Sequence, residues 1–175
     1  MRLILVTATA LVSLAGCSAA TTATPVAAPT TTTSATAPTT TTPPPLSRAD
    51  AARGYLAIVK PYNVALEQLE QAINSGQPVA TLRTRAGELA AANDTQIKQL
   101  QAAVWPADVR APIDELIAES GKAQPFFLAA AHAKSRNQVV QPILDSRKHD
   151  AKASANAIRE LLELAKYDER DYGGS

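Results

Sequence analysis

Residues 55–73 read YLAIVKPYNVALEQLEQAI, and the apolar members recur as Tyr55, Val59, Tyr62, Leu66, Leu69 and Ile73. The steps alternate between four and three residues. That spacing puts all six side chains on one face of an α-helix and does not fit the two-residue alternation of a strand. Ser47, with Asp50 three residues on, is a capping-box-like start. Asn74-Ser75-Gly76 is a stop, because glycine readily takes the left-handed conformation that closes a helix.

The same pattern continues toward the C-terminus. A second helix is predicted from Pro78, a good first helical residue, with the stripe Val79, Leu82, Ala86, Leu89, Ile97, Leu100 and Val104, and an end at Trp105-Pro106. A third starts around Ala107, its regular part expected from Pro112, and carries Ile113, Leu116, Ile117, Ala123 and Phe127 to about Ala133; Asp114 and Glu115 suit its positive dipole end. A fourth opens on the capping box Ser135/Gln138 and runs through Val139, Ile143, Ala153, Ala157, Leu161 and Leu164 to about Asp168. Asp171 to Ser175 should fray. No stretch alternates like a strand between turn signals. Four helices of about 27 to 33 residues, or about 40 to 50 Å at 1.5 Å per residue, joined by short loops, predict an all-α, up-down-up-down four-helix bundle over residues 46–175. Trp105 is expected to plug the core at the second turn.

The chain ahead of residue 46 has a different composition. Met1 and Arg2 precede Leu3 to Ala15, an apolar run without charge. About 13 residues are too few to span a bilayer, which takes roughly 20, so the run reads as the apolar core of a signal peptide. Leu14-Ala15-Gly16-Cys17 follows, and Cys17 is the only cysteine. An intramolecular disulfide is therefore impossible.

This stretch resembles the lipobox of bacterial lipoproteins. The resemblance implies a signal peptide over residues 1–16, alkylation of the Cys17 thiol by a diacylglycerol, cleavage before it, and often a third acyl chain such as palmitate on the freed amine. Two or more chains are what stable anchoring requires. Ser18 to Pro45 holds only uncharged, non-aromatic residues, mostly Thr, Pro, Ala and Ser. Such a segment cannot bury enough apolar area to offset its ordering, so residues 17–45 read as a lipidated Cys17 and a disordered linker open to glycosylation. Lipobox, Thr/Pro/Ala stalk and alanine-rich helices together look like the small lipoproteins of actinobacterial cells, which implies placement on the extracytoplasmic face of the cell membrane.

All sixteen acidic residues and all basic ones but Arg2 lie from Leu46 onward, so that part is formally neutral. Neutrality argues against nucleic acid as a partner and against electrostatic adsorption to a membrane. Catalytic signatures are weak. No phosphate loop, nucleophile elbow or zinc-spaced cluster occurs, and seven aromatic residues do not make a cofactor pocket. Asp145 with His149, four apart, would share a helix face but supply too few ligands for a metal site. His132 suits the end of the third helix. Glu67/Glu70 and Glu160/Glu163 are spaced like paired carboxylates and equally like solvated faces.

Two functions remain. One is a non-enzymatic, lipid-anchored module that binds or scaffolds an envelope protein or component, met at the outward turns Ser75-Gly76-Gln77 and Lys134 to Asn137. The other is an interior site for a small ligand or metal. Pro61 and Pro125 each lie inside a helix, where they remove a donor and press on the carbonyls of Ala57 and Gly121. Counting helix rise places Gly87 and Arg147 near their level, so Tyr62, Gly87, Gly121 and Arg147 would line a cleft. Polar residues turned inward at one level would favour an interior site.

Overall fold

The structure, a computed structural model, describes residues 43–166. The predicted signal peptide, Cys17, all of the predicted linker but Pro43-Pro44-Pro45, and the chain after Lys166 lie outside the described residues. The described part is all-helical: α1 (Arg48–Asn74), α2 (Val79–Ala102), α3 (Ala107–Ala131), α4 (Arg136–Ser146), a 3-10 turn (Arg147–His149) and α5 (Lys152–Leu161). No helix among the described residues is long and apolar enough to cross a membrane.

The helix ends follow from local chemistry. Ser47 Oγ accepts from the Asp50 amide at 3.1 Å and donates to Asp50 Oδ2 at 2.5 Å, so the first cap forms as its spacing predicts. At the other end Gly76 takes φ 74°. Its amide reaches Ile73 O at 3.2 Å and the Gln77 amide reaches Ala72 O at 3.0 Å, the bond pair of a Schellman close. Pro78 is the extended residue just before α2, so the helix starts at Val79, one residue later than predicted. α3 is regular from Ala107 and passes through Pro112, so its expected later start is corrected. The ring is tolerated so close to the N-terminus because only one first-turn carbonyl, that of Asp108, loses its donor. Ser135 caps α4 by accepting from the Gln138 amide at 3.4 Å, while Gln138 Oε1 accepts from the Lys134 amide at 2.9 Å.

The predicted single helix from Ser135 to Asp168 is the main correction. It breaks after Ser146, whose hydroxyl turns back to Ile143 O at 2.8 Å. Asp150 is extended (φ −73°, ψ 110°), and its carboxylate accepts from the Lys152 amide at 2.8 Å, which starts α5 afresh. The break also shifts the register. Ser154, Ile158 and Leu162 are buried, whereas the expected Ala153, Ala157 and Leu161 each lie one residue off.

Both ends of the helical set are tied. At the end that carries the start of α1, called the near end, the Leu46 amide donates to Val104 O at 2.8 Å, and Arg48 reaches Asp108 at 2.6 Å and Leu161 O. At the far end Arg136 donates to Gln77 O at 3.1 Å and to Ile73 O. α3 is central, packing on α2, α4 and α5. The apolar interior is divided in two. The far cluster holds Leu69, Leu82, Leu89, Phe127, Val139 and Ile143. The near cluster holds Tyr55, Leu100, Trp105, Val109, Ile113, Ile158 and Leu162. Trp105 is buried, as expected, and its indole N–H donates to Leu100 O at 2.7 Å.

Candidate functional site

What separates the two clusters is polar. On α2 the buried stripe runs Leu82, Ala86, Leu89, Asn93, Gln96, Leu100, with Ala90 buried beside it; on α3 it runs Val109, Ile113, Leu116, Ser120, Ala123, Phe127, Ala130. Both follow four-three spacing without a gap. Each carries its polar members in mid-helix, about 20 Å from the helix start by rise. Asn93 is 1% exposed and Gln96 2%.

The orientations of Gln124 and Asn93 follow from backbone carbonyls, which can only accept. Ala90 O draws the NH2 of Gln124 to it at 3.0 Å, which leaves Gln124 Oε1 as an acceptor. Asn93 Nδ2 then donates to Gln124 Oε1 at 2.7 Å and to Ser120 O at 3.0 Å. Both of its protons are used, and Oδ1 faces away. Gln96 Nε2 makes a long bond, 3.4 Å, to Ser120 Oγ. Asn93 Oδ1 and Gln96 Oε1 are buried without a hydrogen-bond partner among the described residues.

Tyr62 of α1 packs its ring on Phe127, with centroids 6.2 Å apart. Burial, helped by the carboxylates of Asp150 and Glu70, pushes its phenol up to about 12. His149, in the break, stacks near Phe126 at 5.7 Å and places Nδ1 3.4 Å from Glu119 Oε2. Lys122 and then His149 hold the Glu119 carboxyl below its usual range.

The residues singled out from the sequence fare differently. The predicted cleft residues do not gather. Pro61, Pro125, Ala57 and Gly121 are all exposed, so the carbonyls freed by the prolines face outward. Gly87 lies against Ala131, whose Cβ would stand 3.9 Å from an added Cβ. Arg147 is on the surface, its side chain 67% exposed, 3.4 Å from Glu70. A shallow apolar pocket of about 150 Å³ does adjoin that pair, lined by Ile73, Asn74, Val140, Ile143 and Leu144, but it touches none of Tyr62, Gly87 and Gly121. Arg147 stands beside Glu70, nine residues beyond Pro61, and Gly87 beside Ala131, six residues beyond Pro125, so the predicted residues share neither a level nor a face.

Asp145 and His149 are separated by the break. Asp145 pairs with Lys148 at 2.9 Å and Gln141 at 3.2 Å, which hold its carboxyl below the usual range. Among the described residues no group of three or more His, Cys, Asp or Glu side chains could hold a metal ion. His132 is exposed at the end of α3, as placed from the sequence. Glu70 meets Arg147, and Glu163 lies beyond the last turn of α5 at φ 56°, so neither predicted carboxylate pair acts as a unit. Cys17 lies outside the described residues. The chain matches no protein-family model, no curated protein and no solved structure.

The inward polar layer of Asn93, Gln96, Ser120 and Gln124, the kind of feature that would favour an interior site, was not singled out from the sequence; it holds no titratable group, and its amides are bonded mainly to one another and to backbone carbonyls. Its signal was there. The α2 stripe was read from Leu89 to Ile97, skipping a turn, and the uninterrupted four-three count lands on Asn93 and Gln96.

Proposed function

We propose that this chain is a membrane-anchored extracytoplasmic lipoprotein that presents a helical binding or scaffold module. The observation that carries the reading is Leu14-Ala15-Gly16-Cys17 closing an uncharged apolar run, with Cys17 the chain's only thiol. Acylated Cys17 holds the protein in the bilayer, the Thr/Pro/Ala stretch spaces the helical part from it, and the helical part meets a protein or other component of the envelope. The helices are read as an up-down-up-down four-helix bundle with α4 and α5 sharing the fourth leg. The near-end and far-end ties support that reading, since each joins elements that alternate direction would bring together.

A non-enzymatic role is supported by how the titratable groups are used. The close pairs, such as Arg48–Asp108, Arg85–Glu88 and Lys98–Asp94, are surface ion pairs between or along helices, not a nucleophile beside its base. The far-end turns are the surface offered to a partner. Within them Arg136 is committed to Ile73 O and Gln77 O, which leaves exposed Lys134 and Asn137 as contact residues. The test is labelling of cells with a palmitate analogue, followed by detergent partitioning and crosslinking in intact cells. Wild-type protein should label and partition with detergent, and Cys17→Ser should do neither. An unmodified Cys17 in the wild type sinks the anchor, and crosslinks unchanged by Lys134→Glu sink the far-end surface.

A further inference from the structure

The two orphaned amide oxygens point to an occupant. We propose that Asn93 Oδ1 and Gln96 Oε1 together hold one buried water molecule, so that the bundle is divided at mid-height by a hydrated layer. Two observations and one geometric condition carry this.

The first is chemical. Both atoms are acceptors, in side chains 1% and 2% exposed; the Asn93 NH2 is fixed by Ser120 O and Gln124 Oε1, and the Gln96 NH2 donates to Ser120 Oγ. What is missing at each is a donor. A single water supplies two donors and is the smallest species that can serve both.

The second is geometric. Residues three apart on a helix have Cβ atoms about 5–6 Å apart on the same face. Hydrogen bonds of about 2.8 Å let one water join two oxygens up to roughly 5.5 Å apart.

The third is the packing around them. Ala90, Ser120 and Ala123 are the buried residues flanking the amides on α2 and α3, and the large apolar side chains belong to the clusters on either side. Small side chains at this level fill less space than the leucines, isoleucines and aromatic rings of the clusters on either side.

The test uses the full chain. In a crystal structure at better than about 1.8 Å, a density peak should lie within hydrogen-bond distance of both oxygens, at the 2.7–3.2 Å usual for such contacts. In solution, Asn93→Leu and Gln96→Leu should each lower the folding equilibrium constant. The double variant should be at least tenfold more stable than the product of the two single effects, because the second substitution removes an acceptor that the first has already stranded. The amides also share Ser120, so the cycle is repeated in Ser120→Ala, which removes the side chain that bonds Gln96. Coupling that persists there supports the water. Coupling that disappears, effects that simply multiply, or no peak between the oxygens overturns it. Should the double variant not fold, the density in the unaltered protein decides.

Discussion

Trp105 offers a quantitative check on how the near end is held. Its ring lies 3% exposed among Leu100, Val109, Ile113 and Ile158, and its N–H satisfies Leu100 O, one of the last carbonyls of α2 that no longer has a helical donor. Trp105→Ala removes the whole ring and should cost about 3–5 kcal/mol. Trp105→Phe keeps an aromatic body but strands a buried carbonyl, for about 1–3 kcal/mol. Residues 43–166 number 124 by subtraction. At about 2.1 cal/mol/K per residue their unfolding entropy is roughly 0.26 kcal/mol/K, so the two variants should melt about 15 °C and about 8 °C below wild type. Circular dichroism at 222 nm follows both. Since Trp105 is the only tryptophan, its emission in the wild type should be blue-shifted when folded and move red in the same transition. A Trp105→Phe protein as stable as wild type would refute the carbonyl argument, and a loss under 1 kcal/mol for Trp105→Ala would refute the plug.

Glu163 closes α5 at φ 56°, in the same Schellman geometry that Gly76 supplies for α1, with the Leu164 amide on Arg159 O at 2.8 Å. Glu163→Gly should therefore stabilise by about 0.5–1 kcal/mol and Gly76→Ala destabilise by about 1 kcal/mol, both read by urea unfolding; the opposite signs would contradict the conformational argument. The Tyr62 phenol, raised from 10.0 to about 12, favours the folded state while protonated. That stabilisation is complete below pH 10 and is lost between pH 10 and 12, about 2–3 kcal/mol in all. Tyr62→Phe should flatten that alkaline decline, and an unchanged decline would clear Tyr62 of it. Arg48, bonded to Asp108, holds its carboxyl below the usual range. The pair contributes above the ordinary carboxylate range and is lost as pH falls through the depressed value, so Arg48→Ala should raise the Asp108 pKa in an NMR titration.

Helical identity, three of the turns and the plug were legible because each rests on local chemistry: four-three spacing, serine caps, Gly76, Trp105-Pro106. The break in the fourth leg was missed although its signals were local too. Arg147, Lys148 and His149 in a row suit a helix C-terminus, and Asp150 ahead of an alanine-rich run suits a new N-terminus. The apolar stripe was instead carried straight across them. The candidate site needed a different kind of inference. Asn93 and Gln96 look like surface residues by composition, and only their place in the heptad, together with Ser120 of a facing helix, turns them inward. The cleft drawn from Pro61, Gly87, Gly121 and Arg147 failed for the complementary reason: counting rise along separate helices fixes neither their relative offset nor which way a side chain is rotated.

The division of the core also sets an order of assembly. Every member of the far cluster lies between Ala65 and Ile143. It joins helices consecutive in the chain through four-residue turns, and the closure entropy of such short loops is small. The near cluster spans Ala51 to Leu162 and takes in the first turns of α1 and the last of α5. A chain emerging N-terminus first can thus condense its far half as soon as α4 is out. The near half must wait for nearly the whole sequence, and until then Tyr55, Trp105 and Ile113 are the apolar surface that remains open to other chains.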